Sequence, residues 1–136
     1  MAVPTGMFVM RDALVTINAV EYANQVRKAR FVPDQNVTTY KTLVPDGVVQ
    51  DVDQATWTLE LEGLQINATG GLAKALRTAA NTVVTCIVQP KTGTGQDVAT
   101  ASVLIKEIPF GGEQGDYMTI DVAFPVQGKP AFSLAA

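Results

Sequence analysis

Strict alternation between apolar and polar side chains over residues 56–62 limits what this chain can fold into. Successive side chains of a β-strand point to opposite faces, so a period of two predicts a sheet with one covered and one solvated face. A glycine, Gly63, is predicted to end the strand. The covered face carries Trp57, Leu59 and Leu61, and the solvated face carries Thr56, Thr58, Glu60 and Glu62.

Most of the remaining sequence predicts short strands, because β-branched and aromatic residues recur between turn-forming residues. Apolar runs or strand candidates occupy residues 7–11, 13–17, 22–32, 36–43, 82–89, 97–107 and 117–126. One helix is predicted over residues 71–80, with Thr69 as its N-cap and Asn81 as its stop. Its apolar stripe, at helical spacing, comprises Leu72, Ala75, Leu76 and Ala79.

These patterns predict a mainly β fold: a β-sandwich or half-barrel of about seven or eight strands, with one helix packed on the sheet. The 136 residues suit a single domain, 1–136, that needs no disulfide. Trp57 is expected to lie between sheet and helix. The predicted core comprises Trp57, Leu59, Leu61, Leu72 and Leu76.

Only 17% of the residues are charged, against about 25% in typical soluble domains. Such sparse charge is tolerable where much of the surface is buried in an assembly, although a small monomer fits the same composition. The net charge of −3 and the scattered basic residues do not indicate a basic surface that binds nucleic acid. The one basic cluster, Arg27, Lys28 and Arg30, is expected to be split between two strand faces.

Few residues in the sequence are of the types that act in catalysis or bind metals. The sequence has no histidine and one cysteine, Cys86, which lies in an apolar run and is expected to be buried. The acids near Asp46 do not follow the spacing of a calcium loop. Glu60 and Glu62 lie roughly 7 Å apart on one strand face, near the spacing of a glycosidase pair, but surface acids are the favoured interpretation. We therefore expect no enzyme, no metal and no cofactor.

No apolar stretch approaches the roughly 20 residues that a membrane span needs, and residues 1–6 do not match a signal peptide. Synthesis in the cytoplasm and no membrane partner are therefore expected.

Two segments fit a compact monomer poorly. Residues 43–54 are predicted to form a long loop, in which an apolar pair, Val48 and Val49, is flanked by acids. Residues 127–136 are predicted to form a C-terminal arm that carries Phe132 and Leu134. Apolar residues in such places can fold back on their own core or meet a neighbouring subunit, and the residues alone leave both possibilities open.

Several sequence motifs follow one another along the chain. The strand TWTLELEG at residues 56–63 follows the long loop and is followed by the helix LAKALRTAAN at 72–81 and a strand that ends in Gln89 and Pro90. The Gly-rich turn GGEQGDY at 111–117 leads into YMTIDVAFPVQGKP at 117–130, with the spacing F-x-x-x-G-x-P from Phe124 to Pro130. This order resembles the tail tube proteins of long-tailed bacteriophages, whose fold is shared with the inner-tube proteins of contractile injection systems.

The resemblance implies a structural subunit of the virion tail, made in the host cytoplasm. In that family, rings of six subunits stack into a tube, inner sheets join into one β-barrel, and DNA passes without specific binding. Implied partners are further copies of the chain, the tape measure protein and the tail terminator. The implied inter-ring loop comprises Val44, Pro45, Asp46, Gly47, Val48, Val49, Gln50, Asp51, Val52 and Asp53, with a second contact at Phe132 and Leu134. Candidate lumen residues are Thr100, Ser102, Thr119 and Asp121.

Two alternatives to a phage tail tube remain. A monomeric β-sandwich could bind a ligand or a host surface through its loops, and an inner-tube protein of a contractile injection system would share the tube fold. The first predicts a monomer in solution, whereas both tube proteins predict self-assembly.

Overall fold

A computed structural model describes residues 13–93 and 95–134. The predicted apolar run at residues 7–11 lies outside the described residues. The strands are β1 Leu14–Ile17, β2 Val20–Glu21, β3 Val26–Asp34, β4 Val37–Lys41, β5 Val48–Val52, β6 Thr56–Leu64, β7 Val83–Gln89, β8 Asp97–Leu104, β9 Thr119–Pro125 and β10 Ala131–Leu134. The helix α1 spans Leu72–Thr78.

The strands form two main sheets and a separate hairpin. One sheet has five strands in the order β10-β8-β7-β1-β2, and the other has three in the order β3-β6-β9. All the pairings are antiparallel. Within the described part of the chain, strands β4 and β5 pair only with each other. The predicted mainly β fold with one helix on a sheet is confirmed for the described residues.

Both sheets contribute one face to a common hydrophobic core, as alternation requires. Leu59 and Leu61 of β6 are buried from the three-stranded sheet, and Cys86 and Val103 are buried from the five-stranded sheet. The sheets are joined along one side, where Val126 forms an isolated bridge with Val103. The result is a sandwich that is linked along that side and is not a closed barrel.

The helix buries Leu72 and Leu76, as its apolar stripe predicts. Its N-cap is Gly71, so the prediction of Thr69 is wrong. The reason is a partner distant in sequence: the side-chain oxygen of Gln25 accepts a hydrogen bond from the Leu72 amide at 2.7 Å. Beyond the helix, Asn81 has a left-handed backbone with φ of 67°, in keeping with the predicted stop.

Strand β6 continues through Gly63 to Leu64, so the prediction that Gly63 ends it is wrong. Glycine is needed there because a β-carbon would lie 2.3 Å from the backbone oxygen of Gln25. On the facing strand, β3 starts at Val26 and not at Tyr22, because residues 23–25 form a short 3₁₀ turn. The close approach at Gly63 thus depends on the neighbouring chain, which local patterning does not reveal.

Candidate assembly interface

The segment predicted as a long loop is one arm of a β-hairpin, which corrects the prediction for residues 43–54. Val48–Val52 forms β5 and pairs in register with β4, for example Tyr40 with Val49. The turn is closed by the Thr42 amide, which donates to the Gly47 carbonyl at 2.6 Å. An Asp-Gly pair between valine-rich runs is a known hairpin signal, and Asp46-Gly47 could have identified this turn.

The hairpin, defined here as residues 36–53, packs against neither sheet. Every residue in it is exposed except Gly47, which is half-buried. Leu43, near the tip, is fully exposed. The exposed apolar set comprises Val37, Tyr40, Leu43, Val44, Val48, Val49 and Val52. Exposed apolar side chains concentrated on one element commonly mark an interaction site.

The described residues of the C-terminal arm belong to the fold. Its strand β10 pairs with β8, which places Phe132 opposite Ala99 on the inward side of the five-stranded sheet. The Phe132 ring meets Trp57 edge-on, with ring centroids 6.0 Å apart. Both Phe132 and Leu134 nevertheless remain largely exposed. The aromatic pair therefore closes one end of the sandwich only partly.

Trp57 is half-buried near the start of β6 and packs against the hydrophobic core, which also contains Leu72 and Leu76 of the helix. The periodicity of β6 correctly predicted that Trp57 faces the core. Its position between sheet and helix stays a prediction.

The four candidate lumen residues do not form one surface. Thr100 and Ser102 lie on the outer face of the five-stranded sheet, and Thr119 and Asp121 lie on the outer face of the three-stranded sheet. Because these faces point away from each other, one copy can present only one pair to a channel. The sequence could not distinguish the two pairs, because all four are small polar residues in strands. The strand order places each pair in a different sheet.

The outer face of the three-stranded sheet carries a network of ion pairs. Glu60 accepts from Arg30 at 2.7 Å and lies 3.2 Å from the Lys28 ammonium, and Arg27 reaches Glu62 at 3.3 Å. The hydrogen bond from Arg30, followed by that from Lys28, holds the pKa of Glu60 below its ordinary value. These contacts make Glu60 and Glu62 partners of basic residues, which supports their interpretation as surface acids.

The basic cluster is therefore not split between two faces, and that expectation is wrong. A register shift between Val26 and Lys28 bulges strand β3. The bulge lets Arg27 turn toward Glu62, although Lys28 and Arg30 already occupy the same outer face. A bulge inserts one residue into the two-residue period, so simple alternation fails there.

The edges of the three-stranded sheet are open in the part of the chain that the structure describes. Strand β3 pairs only with β6, and β9 does so over Thr119–Pro125, directly after which Val126 bridges to Val103 of the other sheet. Unpaired strand edges expose backbone donors and acceptors that readily pair with another chain. The edges thus offer two complementary surfaces on opposite sides of one sheet.

A second group of exposed residues lies beyond the ends of β6 and β8, beside the helix. Arg77 places its guanidinium 4.9 Å from the centre of the Phe110 ring and also donates to Asn67. The buried Gln65 side chain accepts from the Gly111 amide at 2.8 Å and donates to the Gly111 carbonyl at 3.2 Å. These contacts fix the start of the glycine-rich loop, and none of them was predicted from the sequence.

Residues 13–93 and 95–134 contain few groups suited to catalysis or metal binding. Cys86 is buried as expected, and burial raises the pKa of its thiol to about 12. Within those ranges no cluster of three acidic, cysteine or histidine side chains could hold a metal. The same residues include no helix with the length and apolar character needed to cross a membrane.

A family model described as phage tail tube protein matches residues 14–132, which include every strand from β1 to β9 and the helix. A search of curated proteins found no match.

Proposed function

We infer that copies of this chain assemble into stacked rings around a channel for DNA, because the chain belongs to the phage tail tube protein family. Membership makes it a structural component of the virion tail that associates with itself and with other tail proteins. The observation that supports the finer proposal is the hairpin of residues 36–53, whose apolar side chains are left exposed by the described residues of the same copy.

Ring closure uses the open edges of the three-stranded sheet. Pairing β3 of one copy with β9 of the next would satisfy both edges and continue the sheet around the ring. Such a head-to-tail contact closes when the rotation between copies divides a full turn, and the family resemblance supports six copies. Closure of this kind also protects the edges from uncontrolled aggregation.

The same arrangement places the outer face of the three-stranded sheet toward the channel. This face presents Asp121 and Thr119, together with the ion-paired groups on β3 and β6. Basic and acidic side chains neutralise each other there, so attraction to the DNA backbone would be weak. Thr100 and Ser102 would then face away from the channel.

Stacking uses the hairpin, which continues from the paired ends of β3 and β6 at Asp34 and Thr56. A hairpin that leaves the channel sheet along its strand direction would extend toward the next ring. The free ends of the tube would meet the tape measure and tail terminator proteins. We propose a structural role without catalysis, in a protein made in the host cytoplasm.

Sedimentation across a range of concentration, combined with negative-stain imaging, tests self-assembly. Rings at low concentration and tubes at high concentration are expected. A particle that stays strictly monomeric, even with tail-initiation complexes added, would support the binding-module alternative instead.

Hydrogen exchange tests which sheet lines the channel. The outward amides of β3 and β9 should exchange more slowly in rings than in free subunits, because they gain partners. The short outer edges of β2 and β10 serve as the internal control. Protection at β2 and β10 without protection at β3 and β9 would contradict this placement.

A further inference from the structure

The three-stranded sheet has an odd number of strands, which determines how two copies can join edge to edge. Its order is β3-β6-β9 with antiparallel pairings, so β3 and β9 run in the same direction within one copy. Rotation about a ring axis carries one copy onto the next without turning it over. Strand β9 of one copy and strand β3 of the next therefore meet as parallel strands, although the pairings of this sheet within each copy are antiparallel.

The backbone hydrogen bonds of the sheet show which residues direct their backbone groups to the free edges. The Val126 amide donates to the Trp57 carbonyl at 3.1 Å, and the Gln65 amide donates to the Met118 carbonyl at 2.8 Å, two bonds that continue the β6–β9 register beyond its ends. Successive residues of a strand direct their backbone groups to alternate sides. Odd-numbered residues of β6 therefore bond toward β9, and even-numbered residues of β6 bond toward β3.

The free backbone groups at the two edges belong to residues whose side chains lie on different faces. On β9 they belong to Thr119, Asp121 and Ala123, whose side chains lie on the outer face. On β3 they belong to Ala29 and Phe31, whose side chains face the core. Antiparallel pairing would set these two groups directly opposite each other and so bring outer side chains against core side chains. Parallel pairing sets each of them opposite a residue whose backbone groups point away, so both faces of the sheet stay continuous.

Among the described residues, the ion pairs of the outer face do not include Asp121. They end at Glu60, which accepts from two basic residues, or at Glu62. Asp121 lies directly opposite Glu62 in the β6–β9 register, so two carboxylates are neighbours there. Like charges on adjacent strands repel each other, and a cation on the other side of Asp121 would offset that repulsion. That other side is the free edge of β9.

Strand β3 carries a suitable cation at the opposite edge of the sheet. Lys28 lies opposite Glu62 on β3, so it stands at the same level of the sheet as Asp121. Its ammonium is 3.2 Å from Glu60, but Glu60 also accepts from Arg30 at the shorter distance of 2.7 Å. The Lys28 side chain is 40% exposed. Lys28 thus shares its carboxylate and has access to a second one.

We propose that β9 of one copy joins β3 of the next in parallel, with Asp121 opposite Lys28 in an ion pair that sets the register, an assignment that rests on the proposed ring assembly. Parallel pairing is slightly less stable per residue than antiparallel pairing, so side chains have more influence on the register. A slip by one residue would exchange the two faces of the sheet. A slip by two residues toward the end of β3 would place Asp121 opposite Arg30, which Glu60 already holds.

Cross-linking between introduced cysteines tests the strand direction and leaves Lys28 and Asp121 in place. In the proposed junction Arg30 stands opposite Ala123, whereas an antiparallel junction about the same ion pair would bring Arg30 opposite Thr119. Rings are assembled from equal mixtures of two single variants, Arg30→Cys with Ala123→Cys or, as the matched control, Arg30→Cys with Thr119→Cys. All three positions are exposed. A short bis-thiosulfonate is added, and products are separated under denaturing, non-reducing conditions.

The mixture with Ala123→Cys should give covalent dimers, and the mixture with Thr119→Cys should give no more than the unmodified chain, whose Cys86 is 1% exposed. Dimers mainly from the Thr119→Cys mixture, or rings that give dimers from neither mixture, would overturn the parallel junction and leave the ring function intact. Failure of the unmodified chain to form rings would overturn the ring function, and the junction with it.

Charge reversal tests the ion pair itself. Asp121→Lys places a second cation opposite Lys28 of the next copy, so it should raise the concentration at which rings form by more than about tenfold. Lys28→Glu should have a similar effect, and the double variant Lys28→Glu, Asp121→Lys should recover most of the loss. Glu113→Lys, the same change in the exposed glycine-rich loop, is the matched control and should leave ring formation unchanged. Melting of the dilute subunits confirms that each variant is folded. Ring formation by folded Asp121→Lys at the concentration of the unmodified chain, or no recovery in the folded double variant, would show that Asp121 does not pair with Lys28.

Discussion

The hairpin and strand β6 are built from similar residues but differ in how they distribute them. In β6 the apolar residues occupy one face, and Leu59 and Leu61 are buried by the same molecule. In the hairpin, apolar residues lie on both faces, with Tyr40 and Val49 on one and Val37 and Val48 on the other, and all of them are exposed. One pattern specifies a fold, and the other specifies a surface for another molecule.

The difference has an energetic consequence. A two-stranded hairpin is at best marginally stable in water, because it buries little apolar surface. Fixing each residue costs roughly 1–2 kcal/mol of backbone entropy, which burial must offset. In the sandwich that burial is internal. In the hairpin it would come from a neighbouring copy, so the hairpin should gain order on assembly.

Thiol labelling should show the largest contrast between the two regions. Burial raises the pKa of Cys86 to about 12, so only about one thiol in ten thousand is ionised at pH 8. A Gln50→Cys thiol on the exposed hairpin should react about a thousandfold faster than Cys86 in the folded protein. Unfolding in denaturant should remove the difference. Comparable rates in the native state would show that the sandwich core opens readily.

Truncation of one core residue and of one hairpin residue should have different effects on the free energy of unfolding. Leu61→Ala removes a fully buried side chain, so it should lower the free energy of unfolding by about 2–5 kcal/mol. Val49→Ala should change it by less than about 0.5 kcal/mol, because the Val49 side chain is exposed and its truncation removes little buried surface. Chemical denaturation of the unassembled subunit measures both. A loss at Val49 comparable to that at Leu61 would mean that the hairpin belongs to the cooperative core.

Trp57→Ala should have an intermediate effect, because Trp57 is half-buried at the edge of the core. A loss of about 1.5–3 kcal/mol is expected, less than for a fully buried tryptophan. A double-mutant cycle with Phe132→Ala should show a coupling of about 0.5–1.5 kcal/mol from the edge-on ring contact. Zero coupling would show that β10 does not hold Phe132 against Trp57 in solution.

The ion-pair network should contribute the smallest effect, and only above acidic pH. Since Arg30 and Lys28 lower the pKa of Glu60 from 4.5, its charged form stabilises the folded state at neutral pH. That contribution should disappear as pH falls through the lowered value. Glu60→Gln should therefore lower the melting temperature slightly at pH 7 and not at strongly acidic pH. Glu113→Gln, in the exposed loop, is the control. An equal change in melting temperature for that variant would show that the ion pairs of Glu60 do not stabilise the fold.

Side-chain periodicity within single elements correctly predicted which residues of those elements are buried. The alternation of β6 identified Leu59 and Leu61 as core, and helical spacing did the same for Leu72 and Leu76. Both follow from the direction in which neighbouring side chains point, which needs no knowledge of other elements.

The remaining features depend on contacts distant in sequence. The cap from Gln25, the close approach at Gly63 and the Trp57–Phe132 contact each join segments that no local pattern connects. The same holds for the candidate lumen residues, because the strand order, which no local pattern sets, puts Thr100 and Asp121 in different sheets. The hairpin differs: its Asp-Gly turn was a local signal that the long-loop interpretation overlooked.

Imaging of a shortened chain tests whether the hairpin is required for stacking. Residues 37–52 are replaced by two glycines, which can join Asn36 to Asp53 because the Asp53 amide already donates to the Asn36 carbonyl at 3.0 Å. Melting and electron microscopy are measured in parallel on the shortened and intact chains. We expect an unchanged melting transition, long tubes from the intact chain, and single rings from the shortened one. Long tubes from the shortened chain at the same concentration would contradict stacking through the hairpin.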